Sequence, residues 1–586
     1  MMQKQRTVTF NHNPLLKREL PVWRSRFVLM VLLGSMLVLI GRALFLQGIN
    51  NEFLQAKGEM RYARVLEVPA TRGRITDRNG DMFAVSTPVR SVWAIPSDVS
   101  LEPGEARQLA KLLEMDVPEL NAKLASGRDF AYLKRQLSPD VAERIAELKL
   151  PGIHQQREYR RFYPGGEVTA HMLGFTSVED RGQEGIELAY EAQLAGQPGS
   201  RRVIKDRRGQ VVEDVESIRP PRDGEDVVLA MDGKIQYLAY SALREAMQKF
   251  RAKAGAVVVV DVQTGEVLAL ANAPTFNPNN RANLTGAQLR NRAFTDTFEP
   301  GSVMKPFVAA LALESGKFKA ATKIDTSPGR MTIGTATIGD AHPHGVLTVA
   351  EVIQKSSNVG TVKMALQFSP DEMWRLLDGL GFGSQLSLGF PGEAAGRLRP
   401  AKSWRPIEQA TMSYGHGISV SLIQVAHAYL AFARDGDLLP LSLTRVDTAK
   451  AAPKRVFSPQ VAREVRAMLE LAAGPGGTAP QAQVPGYRVA GKTGTAYKLE
   501  GGQYVKKYIS SFVGLAPVSR PRLVVAVMID EPTGAHYGGA VAAPVFARIV
   551  EGSLRALGVA PDAPITPLQL ARKQGAEAPT TVRESM

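Results

Sequence analysis

The apolar positions of this chain change their period several times, and each change predicts an element. Phe27 to Ile49 is almost uninterrupted, broken by the single charge of Arg42; at about 1.5 Å per residue it is long enough to cross a hydrocarbon core of about 30 Å. Between 50 and 222, short strand-like runs (Ala63 to Val68, Val92 to Ile95) alternate with helical patterns (Glu105 to Glu114, Pro139 to Leu148). Ile218 to Gly224, rich in Arg and Pro, breaks every pattern and predicts a domain boundary. An amphipathic helix follows (Lys234 to Arg251), then a Val-rich strand (Ala256 to Val262), a Gln263-Thr264-Gly265 turn and a second strand (Glu266 to Ala271), a hairpin signal. The same strand signature returns near the end at Lys492, at Ser510 to Ala516 and at Leu523 to Ile529, before a closing helix from Ala543 to Leu557. An antiparallel sheet with terminal helices on one face is the expectation, with a long helical insertion between its halves. From Gly558 a Pro/Ala-rich stretch of mixed charge predicts a mobile tail, 558–586.

Charge adds a topology. Lys4, Arg6, Lys17, Arg18, Arg24 and Arg26 precede the apolar run against the one acid Glu19, so the positive-inside rule places residues 1–26 in the cytoplasm, 27–49 in the membrane and the rest outside. No small-x-small site follows the run, which favours an uncleaved anchor over a signal peptide. The 586 residues carry 72 basic and 57 acidic side chains, a formal charge of +15. With no basic helix interleaved with aromatics, this excess suits an anionic membrane or wall polymer, and nucleic acid is not expected as a partner. The absence of cysteine excludes a disulfide framework and a thiolate nucleophile. Asp340, His342 and His344 read as a solvated loop, so no metal is expected, and no motif calls for a cofactor.

The candidate chemistry lies in three signatures: Ser302-Val303-Met304-Lys305, Ser356-Ser357-Asn358 and Lys492-Thr493-Gly494-Thr495. A serine hydroxyl needs a base, a proton relay and an oxyanion cradle to act as a nucleophile. Ser302 to Leu313 reads as a buried apolar helix, on which Ser302 and Lys305 share one face. Ser302 would sit at the positive end of the helix, and Pro306 fits its first turn. Taken alone, Ser302 reads as a plain helix cap; the other two signatures, in order, change that. Ser356-Ser357-Asn358 opens a second helical pattern and sets a hydroxyl beside a carboxamide. The Lys492 stretch reads as a strand in which Gly494 lets a ligand backbone approach. Only about one ordinary lysine in 2,500 is uncharged at pH 7, so Lys305 as base requires burial and the like charge of Lys492 to depress it.

This combination resembles the active site of penicillin-binding proteins and serine β-lactamases. Phe298-Glu299-Pro300-Gly301, Lys355, Ser413 to Ser419 and Gly491 around the three signatures are similar to class B penicillin-binding proteins. So are Arg72 to Gly80, Arg161 to Pro164, Ala170 to Phe175 and Gly182 to Glu187 in the first half, and the likeness is strongest to septal, division-specific members. The resemblance implies an α+β multidomain fold: a single N-terminal transmembrane helix, a mixed α/β pedestal or dimerisation-type module over 50–222, and a transpeptidase domain over 226–557 with a five-stranded antiparallel sheet, flanking helices and a helical lobe. It implies a membrane-anchored D-Ala-D-Ala transpeptidase. Ser302 would be the nucleophile, Lys305 its base, Ser356 the proton relay, Asn358 the holder of the substrate amide and Lys492 a nearby positive charge. Thr493, Gly494 and Thr495 would bind substrate, with the hydroxyls of Thr493 and Thr495 on its terminal carboxylate and the N–H groups of Ser302 and Thr495 on the oxyanion. The implied partners are peptidoglycan stem peptides, β-lactams as covalent inhibitors, a polytopic septal glycan polymerase and other division proteins. An elongation-specific transpeptidase, a D,D-carboxypeptidase or β-lactamase, and a penicillin sensor remain as alternatives with the same signatures. His416 is left open between a cleft-lining residue and a hydrogen-bonded structural one.

Overall fold

The computed structural model describes residues 21–46, 63–125, 130–205, 211–446 and 452–564. The chain divides into two units, residues 1–69 with 198–221, and residues 70–197 with 222–586. In the first, a 23-residue helix runs from Val22 to Leu44 with mean hydropathy 2.3 over its most apolar window and no buried residue. It is long and apolar enough to cross a membrane. It starts five residues before the expected Phe27, directly after Pro21, whose fixed φ of −53° suits a helix entrance. Residues 47–49 of the expected anchor, and 1–20 of the basic segment, lie outside the described residues, as do 565–586 of the tail.

The same unit holds an antiparallel sheet of Ala63–Val68, Gly199–Lys205 and Val211–Arg219. Its last two strands escaped the pattern reading because Arg201, Arg202, Glu213, Asp214 and Glu216 leave no apolar alternation to read.

The second unit begins with a twisted sheet in which Met82–Ala94 pairs with both Ala131–Leu137 and Ile153–Phe162. The helices Pro103–Leu112 and Pro139–Glu147 close a small core around Val92, Leu109, Leu133 and Ile145. Three stretches far apart in sequence meet at one buried ion cluster. Arg72 Nε and Arg161 Nε each donate to Glu187 at 2.6 Å, with Arg72 also 2.7 Å from Glu191.

The larger sheet has the strand order 267–273, 254–261, 523–530, 503–516, 490–500, antiparallel throughout. Its alternation faces two cores. Val257, Val259, Val525 and Val527 pack with the terminal helices Gly233–Lys249 and Ala543–Ala556. Val258, Val260, Val524 and Ala526 face the helical lobe and its buried helix Leu422–Ala433. A sheet covered on both faces needs apolar residues at every position, which is why these strands read as continuous Val runs. The strand carrying Lys492 is an edge strand, and against it lies the turn that carries Ser302.

Candidate active site

Ser302 does not lie on the α-helix itself. Gly301–Met304 form a 3₁₀ turn, and the α-helix runs from Lys305 to Glu314. Pro306 supplies the reason: it has no N–H to give the Ser302 carbonyl, which is taken instead by the N–H of Lys305, one residue nearer. The turn is anchored from below by the Tyr429 hydroxyl, which donates to the Val303 carbonyl at 2.8 Å. From the side, Gly415 presses against Gly301 so closely that a Cβ would stand 2.2 Å from the Gly301 oxygen. Ser302 is half-buried at the surface of this rigid support, and Lys305 is 0 % exposed.

Lys305 Nζ donates to the Ser356 carbonyl at 2.5 Å and to Ser356 Oγ at 3.1 Å. Both acceptors reach it because Ser356 closes the helix Val349–Lys355 in the left-handed region, φ 60° and ψ 40°, a conformation that costs a non-glycine residue about 1 kcal/mol or more. An uncharged amine has two hydrogens and one lone pair. Ser356 takes both hydrogens, which leaves the lone pair for a hydroxyl proton. Burial depresses the Lys305 amine well below its ordinary value, the charge of Lys492 adds to this, and the Asp340 carboxylate opposes it. Lys492, also 0 % exposed, is pushed down to about 7 by burial.

Ser357, between the two signature residues, is a structural cap. Its Oγ accepts from the Gly360 N–H at 2.9 Å and donates to Asp340 Oδ2 at 2.7 Å, while Asp340 Oδ1 takes the Val359 N–H. Asp340 is therefore no solvated loop residue: three groups of the site lean on its carboxylate or its charge. His342 is exposed, as expected of that loop. Asn358 Nδ2 donates to the Gly339 carbonyl at 2.7 Å, which fixes the carboxamide and turns Oδ1 to serve another donor.

On the edge strand, Thr493 Oγ1 lies 2.9 Å from Thr478 Oγ1, and Thr495 Oγ1 accepts from the Gly538 N–H at 3.1 Å. Gly494 is also required by the packing of the protein itself. A Cβ there would meet Ser511 Oγ at 2.3 Å and the Pro300 carbonyl at 2.7 Å, so its glycine lets the strand lie flat on the Ser302 turn. The structure thus gathers the three signatures around Lys305, with Lys492 close enough to act on it through charge. Sequence reasoning set Asp340 aside as a solvated loop residue and missed Tyr429, and no local signal marks the role of either.

Beside this site, Glu299 accepts from the Gly417 N–H at 2.9 Å and from the Tyr504 hydroxyl at 3.0 Å to each oxygen. His416 Nδ1 is 3.7 Å from Glu299 Oε2.

Comparisons with known proteins agree along the chain. Residues 255–551 match the family described as Penicillin binding protein transpeptidase domain, and residues 67–229 the family described as Penicillin-binding Protein dimerisation domain. The chain is 44% identical over 550 residues to a probable peptidoglycan D,D-transpeptidase PenA of Neisseria gonorrhoeae, covering 93% of this chain and 94% of that protein. It is 42% identical over 551 residues to the peptidoglycan D,D-transpeptidase FtsI of Escherichia coli K12, covering 92% and 93%. Among solved structures, the transpeptidase domain of Burkholderia pseudomallei penicillin-binding protein 3 superposes with TM-score 0.54 at 53% identity, over 57% of this chain and 98% of that one. A peptidoglycan synthetase from Bifidobacterium adolescentis does so with TM-score 0.68 at 28% identity, over 86% and 98%.

Proposed function

The chain belongs to the penicillin-binding protein transpeptidase family, and from that premise we propose that it is a membrane-anchored serine acyltransferase of septal wall synthesis, cross-linking D-Ala-D-Ala stem peptides through an ester on Ser302. Membership makes it a peptidoglycan D,D-transpeptidase of class B. The observation that carries the reading of the site is the buried Lys305 amine, held by Ser356 and depressed well below its ordinary value by burial and by the charge of Lys492.

In the first half-reaction Lys305 takes the Ser302 proton as Oγ attacks the carbonyl of the penultimate D-Ala. The backbone N–H groups of Ser302 and Thr495 receive the oxyanion. Ser356, hydrogen-bonded to Lys305, hands the proton to the leaving D-Ala nitrogen. Asn358 Oδ1 orients the substrate amide, Lys492 supplies positive charge, and the hydroxyls of Thr493 and Thr495 bind the terminal carboxylate. Gly494 allows the strand to reach the nucleophile turn. An amine of a second peptide then resolves the ester. β-Lactams would acylate Ser302 in the same way, with no second product released to make room for the acceptor.

The helix Val22–Leu44, preceded by a basic segment, supports an anchor with a cytoplasmic N-terminus and a catalytic domain outside the membrane. A polytopic glycan polymerase and other division proteins are the partners this placement suits, and the likeness to FtsI favours the septum. Localisation of a fluorescent fusion at midcell tests the septal role, and lateral-wall localisation would assign the chain to elongation. Incubation of the parent with a D-Ala-D-Ala donor and an added amine tests the reaction: a new amide product supports transpeptidation, and hydrolysis alone would make it a carboxypeptidase.

A further inference from the structure

The transfer half of that reaction sets a problem of its own. The acceptor arrives as an ammonium ion and must shed a proton before its lone pair can attack the ester, beside the buried positive charge of Lys492. The pair Glu299 and His416 is placed to meet both demands. Glu299 is three residues before Ser302, and its neighbours Pro300 and Gly301 form the support of the nucleophile turn. His416 is carried by the loop whose Gly415 presses on Gly301, and flanking glycines at φ 86° and 81° turn that loop back on itself. The imidazole is 24 % exposed and the Glu299 side chain 15 %, so both stand at an opening rather than in the core.

With Nδ1 facing the Glu299 carboxylate at 3.7 Å, the imidazole proton belongs on Nδ1 and Nε2 keeps its lone pair. Glu299 itself accepts from the Gly417 N–H and from the single Tyr504 hydroxyl hydrogen, shared between its two oxygens, and with the His416 Nδ1–H facing it three donors meet about four acceptor positions. A donor from outside can take the fourth.

We propose that Glu299 and His416 form the acceptor-amine subsite, the carboxylate drawing in the ammonium group of the second peptide and His416 Nε2 receiving its surplus proton. The inference rests on the transpeptidase reading above. The protons balance as follows: the ammonium gives one proton to His416, the freed amine forms its N–C bond with the ester carbonyl, and the C–O bond to Ser302 breaks. A second N–H proton passes through Lys305 to Ser302 Oγ, and His416 returns the first to solvent. Four groups face the imidazole: Glu299, the buried Lys305, and the rings of Tyr414 and Tyr504 at 5.2 and 5.8 Å. Burial, opposed by Glu299 and reinforced by Lys305, holds His416 below its ordinary value, which favours the neutral imidazole that can take up a proton.

The test separates the two half-reactions in the full-length, detergent-solubilised protein. A synthetic acyl-D-Ala thioester forms the acyl-enzyme, and added D-Ala competes with water for it. In His416→Gln and in Glu299→Gln the ratio of aminolysis to hydrolysis should fall at least tenfold, and toward the hundredfold typical of a lost general base for His416. The acid limb of the aminolysis pH profile should disappear in His416→Gln, and imidazole should restore aminolysis to His416→Ala. An unchanged ratio and pH profile in both variants, in a parent that is acylated, would overturn this inference alone. A parent that is not acylated at Ser302 would overturn the transpeptidase reading of the site instead.

Discussion

Replacing Lys492 with methionine should make the protein more stable and abolish its chemistry. The side chain is 0 % exposed, its hydrogen bonds among the described residues are long ones to Thr493 at 3.3 and 3.4 Å, and its pKa falls from an ordinary 10.5 to about 7. At about 1.4 kcal/mol per pH unit, burying the charged form costs roughly 5 kcal/mol. At pH 7 half of the folded molecules escape by losing the proton, which leaves a cost of about 4 kcal/mol; at pH 9 it is about 2 kcal/mol. The sign follows from proton counting. Between about pH 7 and 10.5 the unfolded chain binds more protons at this site than the folded one, so parent stability climbs with pH across that window and the penalty is complete below it. Methionine has nearly the same length and volume, so packing changes little. Removing the charge also relieves Lys305, whose amine it depresses. Guanidinium unfolding of the solubilised chain, followed by tryptophan fluorescence from buried Trp404, should show Lys492→Met ahead of the parent at pH 7 and the gap about 2 kcal/mol smaller at pH 9. A variant less stable than the parent at both pH values, or a gap independent of pH, would refute the assignment of a buried, destabilising charge.

Other expectations follow from single contacts. Asp340→Asn removes the carboxylate that raises Lys305, so the acid limb of the acylation rate should move to lower pH; movement to higher pH would contradict this electrostatic role. Tyr429→Phe leaves the buried Val303 carbonyl unpaired and should cost about 1–3 kcal/mol in unfolding experiments, with slower acylation as the turn loosens. Glu187→Gln strips charge from between two buried arginines and should cost about 3–5 kcal/mol; a loss under 1 kcal/mol would show the cluster to be more hydrated than its burial indicates. Lys305→Arg keeps the charge but supplies no base, so it should fold and fail to acylate.

Much of the fold was legible because burial on both faces writes itself as Val-rich strands, and amphipathic helices at 233–249 and 543–556 announce their own period. The site signatures were legible because their residue types sit at helix starts and on a strand where local rules apply. What escaped depended on distant partners. Asp340 reaches Ser357 and Val359 through a hairpin that no local pattern marks, and Tyr429 meets Val303 from 126 residues away. Gly494 has a second reason to be glycine that the strand pattern could not show: Pro300 and Ser511, distant in sequence, exclude a side chain there. The 3₁₀ turn under Ser302 was readable in principle, since Pro306 forbids the α-type bond, but the apolar run that follows masked it.

One hydroxyl, Ser302 Oγ, should owe its nucleophilicity to the buried amine of Lys305. Mass spectrometry of the intact protein and its peptides after incubation with a labelled penicillin decides this. A single adduct should appear on the peptide containing Ser302 and be absent from Ser302→Ala and from Lys305→Arg; an adduct on another residue, or one that persists in the arginine variant at the parent rate, would refute this pairing.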